Sequence, residues 1–176
     1  MKKLITACTG IFLCAPLLAQ SYMFTPDGIA TTEGANQAYL LGSWSNMRFT
    51  MGDNTHRNRA VAISQIAVRL DNRSHTTFTA MGRTWSSIKL VMSEQTNFAT
   101  MSRTFAANTG ANATAVFDKT WTWRTQSGFP LLRPDVWGGL KGQLQFPFTK
   151  PWVYSGKNSI LSDFTFNNGT LANGAF

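Results

Sequence analysis

The chain has 176 residues but only two cysteines, two histidines and eight acidic residues, and each shortage removes a class of chemistry. Both cysteines, Cys8 and Cys14, lie in the opening stretch MKKLITACTGIFLCAPLLAQS. Two lysines, an apolar run from Leu4 to Leu18 and a small residue, Ala19, before Gln20 form the layout of a secretory signal peptide over residues 1–19. Its removal leaves a chain without thiols, so the exported protein must hold together by core burial rather than disulfides. About 155 residues suffice for that in one domain. Leu13 stands before Cys14 where a lipidated cysteine needs a small neighbour, which argues against a lipid anchor. No later apolar run approaches the roughly 20 residues of a membrane span.

The two histidines, His56 and His75, are 19 residues apart in polar surroundings. Zinc takes three or four His, Cys or acidic ligands, so no metal site is expected and both histidines read as solvent-facing loop residues. MGDNTH (51–56) and LDNRS (70–74) bring Asp and Asn together without the spaced acidic ladder of a calcium loop, and read as turns. Of the acidic residues only Asp118 and Asp163 fall within strand patterns; the rest read as loop or strand-end groups. No G-x-S-x-G elbow occurs. GANATAV and WGGLKG lack the strand–loop–helix setting that cradles phosphate, so no cofactor is expected. These gaps together point away from an enzyme. The charge is equally uninformative about nucleic acid: without Lys2 and Lys3, 14 basic residues face 8 acidic ones, a net +6, scattered singly rather than gathered on a stripe. A mild attraction to extracellular polysaccharide or cell-surface components is the partner this bias suits; the oligomeric state is not legible.

Sustained helical periodicity is also missing. The best helix candidate, NFATMSRTFAAN, is rich in Thr and Phe and is a poor one. What the chain does have is alternation. Residues 20–46 form an irregular arm dense in Gly, Asn and Thr; the rest, 47–176, reads as one domain of short strands. ISQIAVRL sets Ile66, Val68 and Leu70 on one face. SSIKLVMSEQ sets Ile88, Leu90 and Met92 inward and Lys89 outward. TAVFDKTWTW aligns Ala115, Phe117, Trp121 and Trp123, with Lys119 on the same side, which predicts a bulge or a strand that leaves the core there. GQLQFPFT aligns Leu144, Phe146 and Phe148, and SILSDFTF aligns Ile160, Phe164 and Phe166, with a turn at SGKN between. Pro147 and Pro151 mark an edge strand or a strand end rather than a central strand. NMRFTM and TTFTAMG are weaker strand candidates. The pattern predicts an all-β fold, an antiparallel β-sandwich of jelly-roll-like type. NNGTLANGAF stops on an aromatic residue straight after a loop-like stretch, which leaves room for a further strand beyond Phe176.

Aromatics are the richest feature, with six tryptophans. Their first use in a disulfide-free sandwich is packing. A second use is a sugar-stacking platform, and for that the candidates are Trp121 and Trp123, spaced to share one strand face, and Trp137 in the Gly-rich DVWGGLKG. Three Asn-x-Ser/Thr sequons, at Asn72, Asn112 and Asn168, matter only in a eukaryotic secretory pathway.

Several pieces taken in order carry a resemblance: TTEG (31–34), ISQIAVRLD (63–71), IKLVMSE (88–94), TFAANTGANATAVF (104–117) and FPFTKPWVYSGKNSILSDF (146–164). Together they resemble secreted bacterial β-sandwich proteins common in planctomycetes, some related to proteins with PEP-CTERM sorting tails. The resemblance implies a sandwich and an exported address, and brings no catalytic residues. The sequence therefore leads to the expectation of an exported, non-catalytic β-sandwich, structural or adhesive at the cell surface or matrix, with a carbohydrate-binding module as the alternative.

Overall fold

A computed structural model describes Met23 and residues 45–69, 83–96, 101–123 and 143–171. Six strands follow one another: β1 (Met47–Asp53), β2 (Val61–Arg69), β3 (Arg83–Gln95), β4 (Ala111–Trp123), β5 (Gln143–Tyr154) and β6 (Ser159–Leu171). A single helical turn, α1 (Phe105–Asn108), precedes β4. Of the poor helix candidate NFATMSRTFAAN, Phe105–Asn108 is the helical part among the described residues, and the candidate's first four residues lie outside them. Every ladder among the described residues is antiparallel. β1-β6-β3-β4 make a four-stranded sheet and β2-β5 a two-stranded one. The two pack face to face as a β-sandwich. A jelly roll has eight strands, and six are described here.

The period-two patterns become the sandwich filling. One rung crosses the larger sheet through Phe49, Phe164, Leu90 and Phe117. Phe146 of β5 drops onto that rung, edge-on to Phe164 at 5.3 Å and to Phe117 at 5.6 Å between ring centroids. Such crossed rings are favoured over flush sandwiches because the positive edge of one meets the negative face of the other. Ile88, Leu90, Met92, Phe146, Phe164 and Phe166 are all but inaccessible to water, as the alternation predicts. Ile66 and Val68 pack against the core from β2 but stay half-buried. Leu70 and TTFTAMG lie outside the described residues, and so does the side chain of Leu144.

The expected irregularity around Lys119 is real but sits in two places. On β4, Leu90 pairs with Phe117 and Val91 with Ala115, so Val116 is the extra residue and both Val116 and Phe117 are buried. On β3 the register slips between Trp85 and Ile88. Opposite, β6 breaks its own alternation at Asn168, whose φ of 49° lies in the left-handed region that Asn tolerates better than most residues. This double break lets Trp85 turn inward against Phe166. Lys119 faces Ile88 yet keeps its ammonium outside, over the Phe117 ring at 4.7 Å.

β5 behaves as a proline-bearing edge strand. Its ladder with β2 is interrupted between Ile63 and Gln65, where the residues from Pro147 to Trp152 span only two positions on β2. Side chains from β5 also seal the flank of β4: Thr149 Oγ1 donates to Val116 O and Trp152 Nε1 to Asn112 O, each at 3.2 Å.

Candidate functional site

Polar side chains concentrate at the end of the sandwich where β1 turns into β2 and β5 into β6. The last inward rung of the large sheet is Asp53, Ile160 and Glu94. Two carboxylates thus flank one strand on the core side, about 10 Å apart at the backbone from two ladder spacings. That is the arrangement in which a pair of acids does general acid–base work, so the partners of each decide what it can do.

Glu94 is 2% exposed and is saturated by the fold. Its Oε1 accepts from Ser155 N at 2.9 Å and Asn112 Nδ2 at 3.2 Å, and Oε2 accepts from Ser155 Oγ at 2.5 Å. Burial alone would push this carboxyl upward. The hydrogen bonds from Ser155, Asn112 and Asn158 outweigh it and hold the group below the ordinary carboxylate range. Asp53 closes an Asx turn: Oδ1 accepts from Thr55 N at 2.8 Å and from Thr55 Oγ1 at 2.6 Å. Its Oδ2 lies 3.6 Å from His56 Nε2. Tyr154 is fully buried, within the electrostatic reach of both acids, and its hydroxyl donates to Asn158 O at 2.5 Å. Burial pushes that phenol upward, the charges of Glu94 and Asp53 add to the effect, and Arg57 opposes it. Arg57 itself donates to Ser159 Oγ at 2.9 Å.

The turn that carries Ser155 is built for this fit. Gly156 has φ +80°, and a Cβ there would meet the backbone nitrogens of Arg59 and Ala60 at 2.9 Å. Gly156 O accepts from Asn58 N at 2.6 Å, which ties the β1–β2 loop to the β5–β6 turn. The cluster is therefore a clasp: every oxygen of Glu94 holds a turn or a strand in place.

A second polar pair lies on the outer face of the large sheet. Arg48 grips Asp163 in a two-pronged contact, Nε to Oδ1 at 3.1 Å and NH2 to Oδ2 at 2.6 Å. The bond to Asp163 keeps the guanidinium above its ordinary value. Phe105 of α1 stacks on that guanidinium at 4.6 Å, which draws the segment before β4 over the sheet. Leu161, 1% exposed and on the same outer face, is covered there.

The sugar-platform candidates are not brought together in the described residues. Trp121 is half-buried, edge-on to Phe117 at 5.5 Å and tilted on Phe146 at 5.9 Å. The Trp123 side chain and all of Trp137 lie outside the described residues. Trp85 and Trp152 are closed into the core. The reading of His56 as solvent-facing is corrected: it is 9% exposed, turned in beside Asp53 although it sits in a polar loop. His75 lies outside the described residues. Among the described residues no three His, Cys, Asp or Glu side chains gather as metal ligands, and no helix is long and apolar enough to cross a membrane. Glu94 and Asp53, read from sequence as strand-end groups, are the residues that pattern reasoning passed over. Their single sequence signal is position: each ends a strand whose inward teeth it continues.

The site defines a class, an antiparallel sandwich closed at one end by a buried carboxylate clasp. No family model matches the chain, no curated protein is similar to it, and no solved structure matches it. The resemblance to planctomycete-type proteins thus has no matching relative behind it.

Proposed function

We propose that the protein is an exported, non-catalytic β-sandwich that serves a structural or adhesive role at the cell surface or in an extracellular matrix. One observation carries the non-catalytic part: the buried carboxylates of Glu94 and Asp163 and the half-buried one of Asp53 are committed to donors of the fold, Glu94 to Ser155 and Asn112, Asp163 to Arg48, Asp53 to Thr55. An acid or base for catalysis needs a lone pair or proton turned toward substrate, and these are turned toward the protein's own turns and strands. The exported address rests on the leader-like residues 1–19.

The test is to label intact producing cells with an antibody to the chain and to compare the label with that on permeabilised cells. Label on intact cells and in the shed matrix is expected; protein confined to the cell interior refutes the surface role. Turnover of chromogenic glycoside or ester substrates by the purified chain, lost in Glu94→Gln, would refute the non-catalytic reading independently of address.

A further inference from the structure

Three connections meet at the end of the sandwich that Glu94 closes. β1 ends there at Asp53, β3 at Gln95 and β5 at Tyr154, and β2, β4 and β6 begin there. The connections are 54–60, 96–110 and 155–158, and their charges are one-sided. NTHRNRA, TNFATMSRTFAANTG and SGKN hold Arg57, Arg59, Arg103 and Lys157 and no acidic residue. All four cations are exposed. Of these connections only 97–100 lie outside the described residues, and that stretch, NFAT, carries no charge. From Gln20 onward 14 basic residues face 8 acidic ones, a net +6, and four of those six positive charges come from the connections at this end.

Charge is also sorted by direction. The nearest acids, Asp53 and Glu94, end strands. Asp53 gives Oδ1 to Thr55 and turns Oδ2 toward His56, and Glu94, 2% exposed, holds Ser155 and Asn112. Among the described residues neither acid forms an ion pair with a lysine or arginine. Leaving His56 aside, four cations against two carboxylates still sum to +2 here, with the positive groups outermost. Three of the cations are held close together. Asn58 N donates to Gly156 O at 2.6 Å. Arg57, Arg59 and Lys157 each stand one residue, about 3.8 Å, from that bonded pair. Arg57 is fixed again by Nη2 donating to Ser159 Oγ at 2.9 Å. A cluster held in this way loses less freedom when it binds.

We propose that this end binds an acidic polysaccharide, with Arg57, Arg59 and Lys157 receiving carboxylate or sulfate groups along the polymer. The choice of polymer rests on the surface or matrix role proposed above. Both anions accept paired N–H bonds from a guanidinium, and lysine adds a compact point charge. Exposed Asn54 and Asn58 beside the cations offer donors and acceptors to sugar hydroxyls. Nucleic acid fits worse. Single strands stack their bases on aromatic rings, and the one described aromatic of these connections, Phe105, is stacked on Arg48. The major groove of a duplex admits a helix or a two-stranded ribbon, and this end presents turns and the four residues of α1.

The test is retention of the purified chain on immobilised polygalacturonate, dextran sulfate, neutral dextran, and single-stranded and duplex DNA. Retention on one or both acidic polysaccharides that fades as salt is raised, and none on neutral dextran, is expected; the stronger of the two names the anion. Arg59→Glu and Lys157→Glu, made singly, reverse exposed charges that no bond of the fold uses, and each should weaken retention about tenfold. Lys89→Glu makes the same change of net charge in mid-strand, about 17 Å along β3 from Glu94 and beyond the reach of screened charge, and should stay within about twofold. Circular dichroism checks that all three variants are folded. Equal losses in all three, no retention on either acidic polysaccharide, or retention on DNA as tight as on both of them each overturns the proposal. The assay is independent of address. A chain that binds these polymers but stays inside the cell refutes the surface role and leaves the chemistry of this end standing; a surface-labelled chain that binds neither refutes this assignment alone.

Discussion

Replacing Glu94 isolates the clasp better than any other change. Three hydrogen bonds end on a charged acceptor, and such bonds contribute about 1.5–3 kcal/mol each against about 0.5–1.5 for neutral ones. Ser155 and Asn112 are exposed, so donors released from Glu94 can turn to water, which discounts the sum. Glu94→Gln keeps the shape and one acceptor oxygen but loses the charge, a cost of about 1–2 kcal/mol at neutral pH. Glu94→Ala removes all three bonds and leaves a small void, about 2–4 kcal/mol, or very roughly 5–15 °C in Tm. The pH dependence gives the sharper test. The folded carboxyl is held below its unfolded value by the Ser155, Asn112 and Asn158 bonds. Its contribution is therefore complete above the unfolded value, about 4.3, and is lost as pH falls through the folded value. Urea unfolding followed by tryptophan fluorescence, at neutral pH and at decreasing pH, should show the wild-type advantage over Glu94→Gln shrinking on acidification. The comparison cancels the titration of the other acids. A Glu94→Gln variant within about 0.5 kcal/mol of wild type at neutral pH, or a gap that does not narrow in acid, would refute the reasoning.

Other expectations follow from the same geometry. A Cβ at Gly110 would lie 1.7 Å from Glu94 O, so Gly110→Ala should force the start of β4 off β3 and cost more than about 3 kcal/mol in a thermal melt. Phe146→Ala removes the ring on which Phe117, Trp121 and Phe164 converge and should cost about 3–5 kcal/mol in chemical unfolding. Asp163→Asn weakens the grip on Arg48. Because the Arg48 side chain is 41% exposed, the loss should be about 1 kcal/mol or less, and limited proteolysis should show earlier cutting near Phe105 if the segment before β4 is loosened.

Much of the sandwich was legible because burial in a strand has a period of two. Ile88, Leu90 and Met92 alternate without interruption, Ile160, Phe164 and Phe166 do so across a serine at 162, and the structure buries all six as the pattern requires. β1 was weaker in sequence because it is short, seven residues with three apolar teeth, Met47, Phe49 and Met51, and its place is settled by pairing with β6, more than 100 residues away. Where alternation failed, at Val116 and around Trp85, the cause is a slip in register between two strands, which neither strand carries alone. His56 looked exposed since its neighbours are polar; the Asx turn at Asp53 folds it inward.

Local physics written along the chain determined the strands, their inward faces, the prolines on an edge and the turn at 155–158, since each depends on neighbours one or two residues away. The tertiary structure alone decided that Glu94 of β3 meets Ser155 beyond β5, that Asp163 meets Arg48, and that among the described residues four strands are set against two. Those contacts join residues separated by 61 and 115 positions, and no local pattern encodes a partner so distant; only the order in which strands pair across the sheets brings them together.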